Sequence, residues 1–158
     1  MKKMSLLFVG IIPFFVGCGM NYLILGPFVN VVLPYKLIGI AFLIAWFFAG
    51  RYSYKLVETK KTATILGNAI AFIVLLLIIC QECVLGQYWP APVGTATQFY
   101  YLPLLGLASM FTSMFARMFH TMVPTYIAAT TAFLMMCIVF YLGCPYEQTI
   151  HQKSIAFP

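Results

Sequence analysis

Long apolar runs with almost no charge inside them restrict the fold of this chain more than any other feature of its sequence. There are five of them: Ser5 to about Gly26, Tyr35–Gly50, Thr62–Gly86, Tyr101–Ala116 and Met122–Gly143. Hydrophobic residues make up 63% of the chain and charged residues 8%, against about 45–50% and about 25% in soluble domains. Roughly 20 apolar helical residues cross a bilayer core about 30 Å thick. The sequence therefore predicts an all-α integral membrane protein, a bundle of about five transmembrane helices that forms a single domain over residues 1–158.

Composition also excludes several classes of function. Five crossings and their connectors use nearly all of the 158 residues, so a soluble kinase or nucleotide-binding domain has no room. The sequence contains no glycine-rich phosphate-binding loop. The net charge of +6 lies between the apolar runs rather than on one basic face, which argues against nucleic acid as a partner. The expected partner is the lipid bilayer of a cell membrane, and the basic N-terminus with short loops favours a bacterial plasma membrane.

The positions of lysine and arginine predict the orientation, because both are retained on the cytoplasmic side of short loops. A cytoplasmic N-terminus and five crossings leave the C-terminus outside, together with Lys36 and Lys153. The other basic residues lie inside: Lys2, Lys3, Arg51, Lys55, Lys60, Lys61 and Arg117. One alternative makes Tyr101–Gly143 a bent helix plus a surface segment, which moves the C-terminus inside. Another treats the first run as a lipoprotein signal ending at Cys18, but cleavage would leave a chain that opens on a further apolar run.

Polar residues in or beside the apolar runs are the candidates for solute binding. The amides of Asn21 and Asn68 are harder to satisfy within their own helix than hydroxyls are, so they should face the bundle interior or a wet cavity. Glu82 is an acidic residue at the predicted outer boundary, where a charge often marks a substrate path. The segment that follows adds polar and aromatic groups suited to an outer cap, namely Gln87, Trp89 and Gln98. Interhelical hydrogen bonding and an interfacial aromatic belt are the alternatives.

A C-x-x-C pair, Cys80 and Cys83, ends the third run. Three residues apart on an α-helix, the two thiols would share a face, and dithiol oxidoreductases use the same spacing. Cys144 is expected on the same outer side. Membrane thiol oxidases that pass electrons to quinone also place a C-x-x-C near the outer surface, but they generally need a second pair in an outer loop, which this sequence lacks. A structural disulfide and plain apolar packing are the alternatives, and a metal site is not expected because tetrahedral zinc needs four ligands.

Arg117 and His120 form a second polar pair, at the predicted inner turn between the fourth and fifth helices. Histidine changes its charge near neutral pH, so the pair is a candidate inner-face switch, with a positive-inside turn as the alternative.

The first functional hypothesis is a small multi-pass protein that binds or passes a small solute, as a transporter subunit or a homo-oligomer, without a cofactor. The alternatives are a thiol-disulfide oxidoreductase using Cys80 and Cys83 with quinone, and a structural or assembly subunit among partner membrane proteins. Only the oxidoreductase would be an enzyme.

Overall fold

The computed structural model describes residues 2–26, 34–57, 59–90, 93–119 and 124–145, and every regular element in these ranges is a helix. The elements are α1 (Lys2–Val9), α2 (Ile12–Leu25), α3 (Tyr35–Tyr54), α4 (Lys60–Gly67), α5 (Ala69–Ile79), a π-helical turn (Cys80–Val84), α6 (Val93–Phe119) and α7 (Thr125–Gly143). Within these ranges, three helices are long and apolar enough to cross a membrane: Met4–Leu25, Tyr35–Tyr54 and Thr125–Gly143. The bent pair Lys60–Gly67 and Ala69–Val84 makes a fourth if it counts as one span. The predicted all-helical, apolar architecture is confirmed to this extent.

The first apolar run is broken between α1 and α2, at Gly10 and Ile11. Pro13 carries no N–H group, so it cannot continue the helical hydrogen-bond ladder. The N–H of Phe14 bonds to the carbonyl of Ile11 at 3.0 Å instead of reaching back four residues. As a consequence, the carbonyl of Gly10 is left without its helical donor and is open to a partner from another element.

The third apolar run is broken in a similar way at Asn68, where α4 and α5 meet at an angle of 45°. The amide nitrogen of Asn68 donates to the carbonyl of Thr64 at 3.0 Å, and its Oδ1 accepts a hydrogen bond from the indole nitrogen of Trp46 at 3.4 Å. Trp46 is buried and stacks on Phe42, with 5.7 Å between the ring centroids. The side chain of Asn68 therefore forms a hydrogen bond within the bend and a second one that connects the bend to α3.

The two broken helices share one design. Each opens with a pair of lysines, runs for eight residues and then breaks. α1 packs against α4, and the breaks are neighbours, because a Cβ added to Gly10 would lie 3.2 Å from the carbonyl oxygen of Gly67. The first and third apolar runs, each predicted as a single helix, are thus both interrupted, and they contact each other at the interruptions.

α3 and α7 pack through a reciprocal glycine contact. A Cβ on Gly50 would overlap the carbonyl oxygen of Phe140, and a Cβ on Gly143 would overlap that of Phe47. Both glycines lie near the C-terminal ends of their helices, and Lys60, which follows α3 closely in the chain, contacts Tyr141 in the last turn of α7, so the two helices run in the same direction. Because apolar burial contributes little between helices in lipid, such close backbone approach is a main source of helix association there.

The direction of α7 corrects the predicted alternation of five crossings. Its first residue, Thr125, hydrogen-bonds Glu82 at the end of the third run; we call this end of the bundle the glutamate end. Its last turn lies at the opposite, lysine end, where the Nζ of Lys60 sits 3.9 Å from the ring centroid of Tyr141. Five alternating crossings would separate Thr125 from Glu82 and would group Cys144 with the C-x-x-C pair. Both expectations are wrong.

The reason lies in α6, because the segment before it, at Tyr88, and the segment after it, at Thr125, both contact Glu82 at the glutamate end. It begins at Val93, inside the segment predicted to be an outer loop, and it is not among the helices long and apolar enough to span. The hydroxyls of Tyr100 and Tyr101 reach the level of the helix breaks, with O···O distances of 2.6 Å to the carbonyls of Gly10 and Ala71. Five residues later Gly106 packs against Tyr35, the first residue of α3. Gln98 shares the lining of a cavity with Thr125, so α6 contacts the first residues of both α7 and α3 and does not run alongside them from one end of the bundle to the other.

The predicted inner-face switch is described for Arg117 only. Arg117 lies in the last turn of α6 and is exposed, seven residues before Pro124, which leads into α7 at the glutamate end. Its role in an inner-face switch stays a prediction. His120, its predicted partner, lies outside the described residues.

Candidate functional site

A carboxylate clasp joins the π-turn to the start of α7. Glu82 Oε1 accepts a hydrogen bond from the backbone N–H of Thr125 at 2.9 Å, and Oε2 accepts one from Tyr126 at 2.8 Å. The first N–H groups of a helix have no partner inside it, and α7 has no side-chain cap at its own N-cap residue, Pro124. The negative carboxylate also lies at the positive end of the helix dipole. Glu82 therefore caps α7 from another helix, an arrangement that we call the Glu82 clasp.

Tyr88 completes the clasp from the segment after the π-turn. Its hydroxyl donates to Glu82 Oε2 at 3.2 Å. Burial raises the pKa of Tyr88, a hydrogen bond with the Thr125 side chain lowers it, and the Glu82 carboxylate raises it again. The net shift is upward, so the phenol keeps its proton at neutral pH and remains a donor to Glu82. Three donors thus surround one carboxylate.

A cavity of about 300 Å³ lies beside the clasp. Its lining combines aliphatic, aromatic, amide and hydroxyl groups and includes no charged side chain: Ile78, Tyr88, Gln98, Tyr101, Leu105, Thr125 and Ala129. This volume is at the lower end of the range of small-molecule sites, about 300–1,000 Å³. We call it the clasp cavity. Its mixture of an apolar wall and a few hydrogen-bonding groups is typical of sites for small organic molecules.

The π-turn also buries an amide without a partner. The N–H of Leu85 bonds to the carbonyl of Cys80, five residues back, at 3.1 Å, and such wide turns occur frequently at functional sites. Gln81 is fully buried there, and neither polar atom of its side chain has a hydrogen-bond partner in the described part of the chain. An unsatisfied buried amide costs about 1–3 kcal/mol. It lies one turn beyond Ile78 of the clasp cavity, which makes it a candidate functional group that the sequence analysis passed over.

The predicted solute-binding residues divide into three groups. Gln98 lines the clasp cavity, and its side chain makes no hydrogen bond to any described residue. Glu82 borders the cavity, but its carboxylate is occupied by the clasp, and Asn68 is occupied by Trp46 and Thr64. The remaining three do not line the cavity: Asn21 is half-buried on α2, Gln87 is exposed and Trp89 is half-buried beside Gly94.

The cysteines are not assembled as the thiol hypothesis requires. All five are free, so the structural disulfide considered as an alternative for Cys80, Cys83 and Cys144 is not formed. Cys80 is half-buried and Cys83 exposed, because the π-turn rotates residues three apart away from a common face. Cys144 is buried at the lysine end, where its Sγ donates to the carbonyl of Gly50 at 3.5 Å. Among the described residues, no three His, Cys, Asp or Glu side chains group as a metal site would require.

Sequence reasoning did not identify Tyr88, Tyr101 and Thr125 as members of the site. The aromatic residues were assigned to an interfacial belt, and only the contact between the π-turn and α7 shows that they surround a cavity. The arrangement can hold a small neutral molecule between aromatic faces and offer it hydrogen bonds. The chain matches no protein-family model, no curated protein and no solved structure.

Proposed function

We propose that this protein is a small membrane protein that binds a small, uncharged organic solute in the clasp cavity. The observation that carries the proposal is the lining of that cavity, where the Gln98 amide stands among tyrosine rings and aliphatic side chains. An amide can both donate and accept hydrogen bonds, and the aromatic faces of Tyr88 and Tyr101 suit flat groups. A solute with an amide-like or heteroaromatic ring matches these features.

The electrostatics of the site favour a neutral solute over an ion. An anion would be drawn to the N-terminus of α7, but Glu82 already occupies its first N–H groups. A cation would be drawn to Glu82, but three donors already surround that carboxylate. Because Glu82 and the N-terminus of α7 neutralise each other, the cavity offers a solute hydrogen bonds and apolar contact.

Replacing Gln98 with leucine is expected to weaken solute binding about tenfold or more. A partner group of the solute left unpaired in a buried site costs roughly 1–3 kcal/mol, and about 1.4 kcal/mol corresponds to tenfold in affinity. The measurement is thermal stabilisation of the detergent-solubilised protein across a panel of neutral amides, nucleobases and aromatic amines, followed by titration of each hit.

Gln87→Leu is the matched control, because Gln87 is exposed and does not line the cavity. It should bind the hits as the unaltered chain does. A panel that yields no stabilising compound, or equal losses in both variants, would argue against the clasp cavity as a binding site.

For the orientation, the proposal is four crossings with the lysine end in the cytoplasm. Basic residues are retained on the cytoplasmic side, and the described ones at the lysine end are Lys2, Lys3, Arg51, Lys55, Lys60 and Lys61. The glutamate end has Lys36, in the first turn of α3. In this arrangement the segments before and after α6 lie on the outer side, and the clasp cavity belongs to the outer half of the protein.

Reporters fused to the two ends of the chain test this orientation. Both are expected to be active in the cytoplasm, because α1 begins and α7 ends at the lysine end. The measurement pairs a reporter that is active only in the cytoplasm with one that is active only outside. An N-terminal signal inside combined with a C-terminal signal outside would restore the five-crossing arrangement and refute this one.

A further inference from the structure

We infer that Tyr100 and Tyr101 form an inner gate beneath the clasp cavity, with each tyrosine holding one of the two broken helices. The inference rests on the proposed function, because a gate has meaning only where a solute occupies the cavity. The gate gives a role to these two adjacent tyrosines of α6, whose hydroxyls bond to two different broken helices.

Tyr101 belongs both to the cavity and to the third apolar run. Its side chain lines the clasp cavity and is 1% exposed. Its hydroxyl donates to the carbonyl of Ala71 at 2.6 Å, one turn beyond the bend at Asn68. The ring therefore closes the cavity on its inner side while the hydroxyl is anchored next to a helix break.

Tyr100 makes the equivalent bond to the first apolar run. Its hydroxyl donates to the carbonyl of Gly10 at 2.6 Å, the carbonyl that the break at Ile11 deprives of its helical donor. The two tyrosine rings contact each other edge to face, with 5.2 Å between their centroids. Movement of one ring is thus coupled to the other, and α6 is attached to both broken helices at once.

The helix breaks provide the freedom that a gate needs. Interrupted membrane helices in corresponding positions of two similar segments are the usual site of solute binding and of rocking movements in transporters. Here both interruptions are in contact through Gly10 and Gly67, and each hydroxyl bond joins one of the broken helices to α6. Releasing the two bonds would detach α6 from the break after α1 and from the first turn of α5, and so would open the inner side of the cavity.

Cys137 is a native probe of this gate. It lies on α7, two helical turns nearer the lysine end than Ala129 of the cavity lining, and it is close to both tyrosines. A charged, membrane-impermeant thiol reagent is added to the full chain in lipid nanodiscs. Peptide mapping by mass spectrometry then gives the rate of modification at Cys137 and at the buried Cys144.

Tyr100→Phe and Tyr101→Phe are each expected to raise the rate at Cys137 about fivefold, equivalent to the loss of one net hydrogen bond of roughly 1 kcal/mol. Tyr52→Phe, an exposed tyrosine of α3, should leave the rate unchanged. The rate at Cys144 should not change in any variant. An unchanged rate at Cys137 overturns the gate, and so does a parallel rise at Cys144, because that would indicate general loosening.

The labelling needs no solute, so the two proposals can fail separately. Selective exposure of Cys137 without any compound that binds would support the movable tyrosine pair and refute the proposed solute function. Binding that depends on Gln98, together with unchanged labelling in both tyrosine variants, would support the function and refute the gate.

Discussion

Replacing Gly143 with alanine is expected to lower the free energy of unfolding by about 3 kcal/mol, the upper part of the range for overpacked sites. The added methyl group would overlap the backbone carbonyl of Phe47. A backbone atom in the middle of α3 cannot rotate away as a side chain can, so the two helices must separate. Gly50→Ala meets the carbonyl of Phe140 in the same way and should have a similar cost.

Separation of α3 and α7 would affect more than the two glycines. The ring of Phe140 packs on Trp46 at a centroid distance of 5.5 Å, and it also fills the space above Gly67. A shift of α7 would therefore disturb the bend at Asn68, which Trp46 helps to satisfy. Unfolding in detergent, followed by far-UV circular dichroism against increasing sodium dodecyl sulfate, measures the loss.

Gly19→Ala is the matched control, since a Cβ at Gly19 in α2 meets no atom within 4 Å. Alanine is favoured over glycine inside a helix by roughly 0.5–1 kcal/mol, so this variant should be as stable as the unaltered chain or slightly more so. If Gly143→Ala and Gly19→Ala unfolded at the same denaturant fraction, the close parallel packing of α3 and α7 would be refuted.

Replacing Glu82 with alanine is the second large effect, with an expected loss of about 2 kcal/mol. Hydrogen bonds to a charged group are worth about 1.5–3 kcal/mol each, and the partial exposure of Glu82 reduces the sum because water can replace part of the interaction. The variant removes the acceptor for Thr125, Tyr126 and Tyr88 together. For a chain of this size the midpoint of thermal unfolding should fall by about 4–8 °C.

Two further variants separate the contributions within the Glu82 clasp. Glu82→Gln keeps the shape and one acceptor oxygen but loses the charge at the helix N-terminus, so its loss should be intermediate. Tyr88→Phe removes only the longest of the three bonds, at 3.2 Å, and should cost the least. Equal stability of Glu82→Ala and the unaltered chain would show that the carboxylate does not cap α7.

Local features of the sequence were predicted well because they depend on local chemistry. The start of α3 at Tyr35 was expected, and α3 continues past the predicted end at Gly50 to Tyr54, because its last turn carries polar residues that an apolar run does not include. Asn68 was recognised as a residue that needs partners outside an ordinary helix, and the structure supplies them from Trp46 and Thr64.

The path of α6 was missed for a physical reason. Its first turns contain Thr95, Thr97 and Gln98, and after Pro90 and Pro92 such residues are typical of a loop. Inside the bundle their polar groups can be satisfied, as when the Thr97 hydroxyl donates to the carbonyl of Gly94 at 2.8 Å. The sequence analysis counted the run from Tyr101 to Ala116 as a span, whereas α6 is not among the described helices that are long and apolar enough to cross a membrane.

Taken by itself, the sequence determined the class of the protein: a helical chain with membrane-length apolar segments. It also indicated that Glu82 matters, since a carboxylate beside apolar residues must find partners. Only the tertiary structure decided what those partners are. They are backbone N–H groups 43 and 44 residues further along the chain, and every residue except proline has one, so no pattern of side chains records the contact. The direction of α7, the clasp cavity and the tyrosine pair beneath it all depend on that contact and on the glycine packing of α3, because both act between segments far apart in sequence.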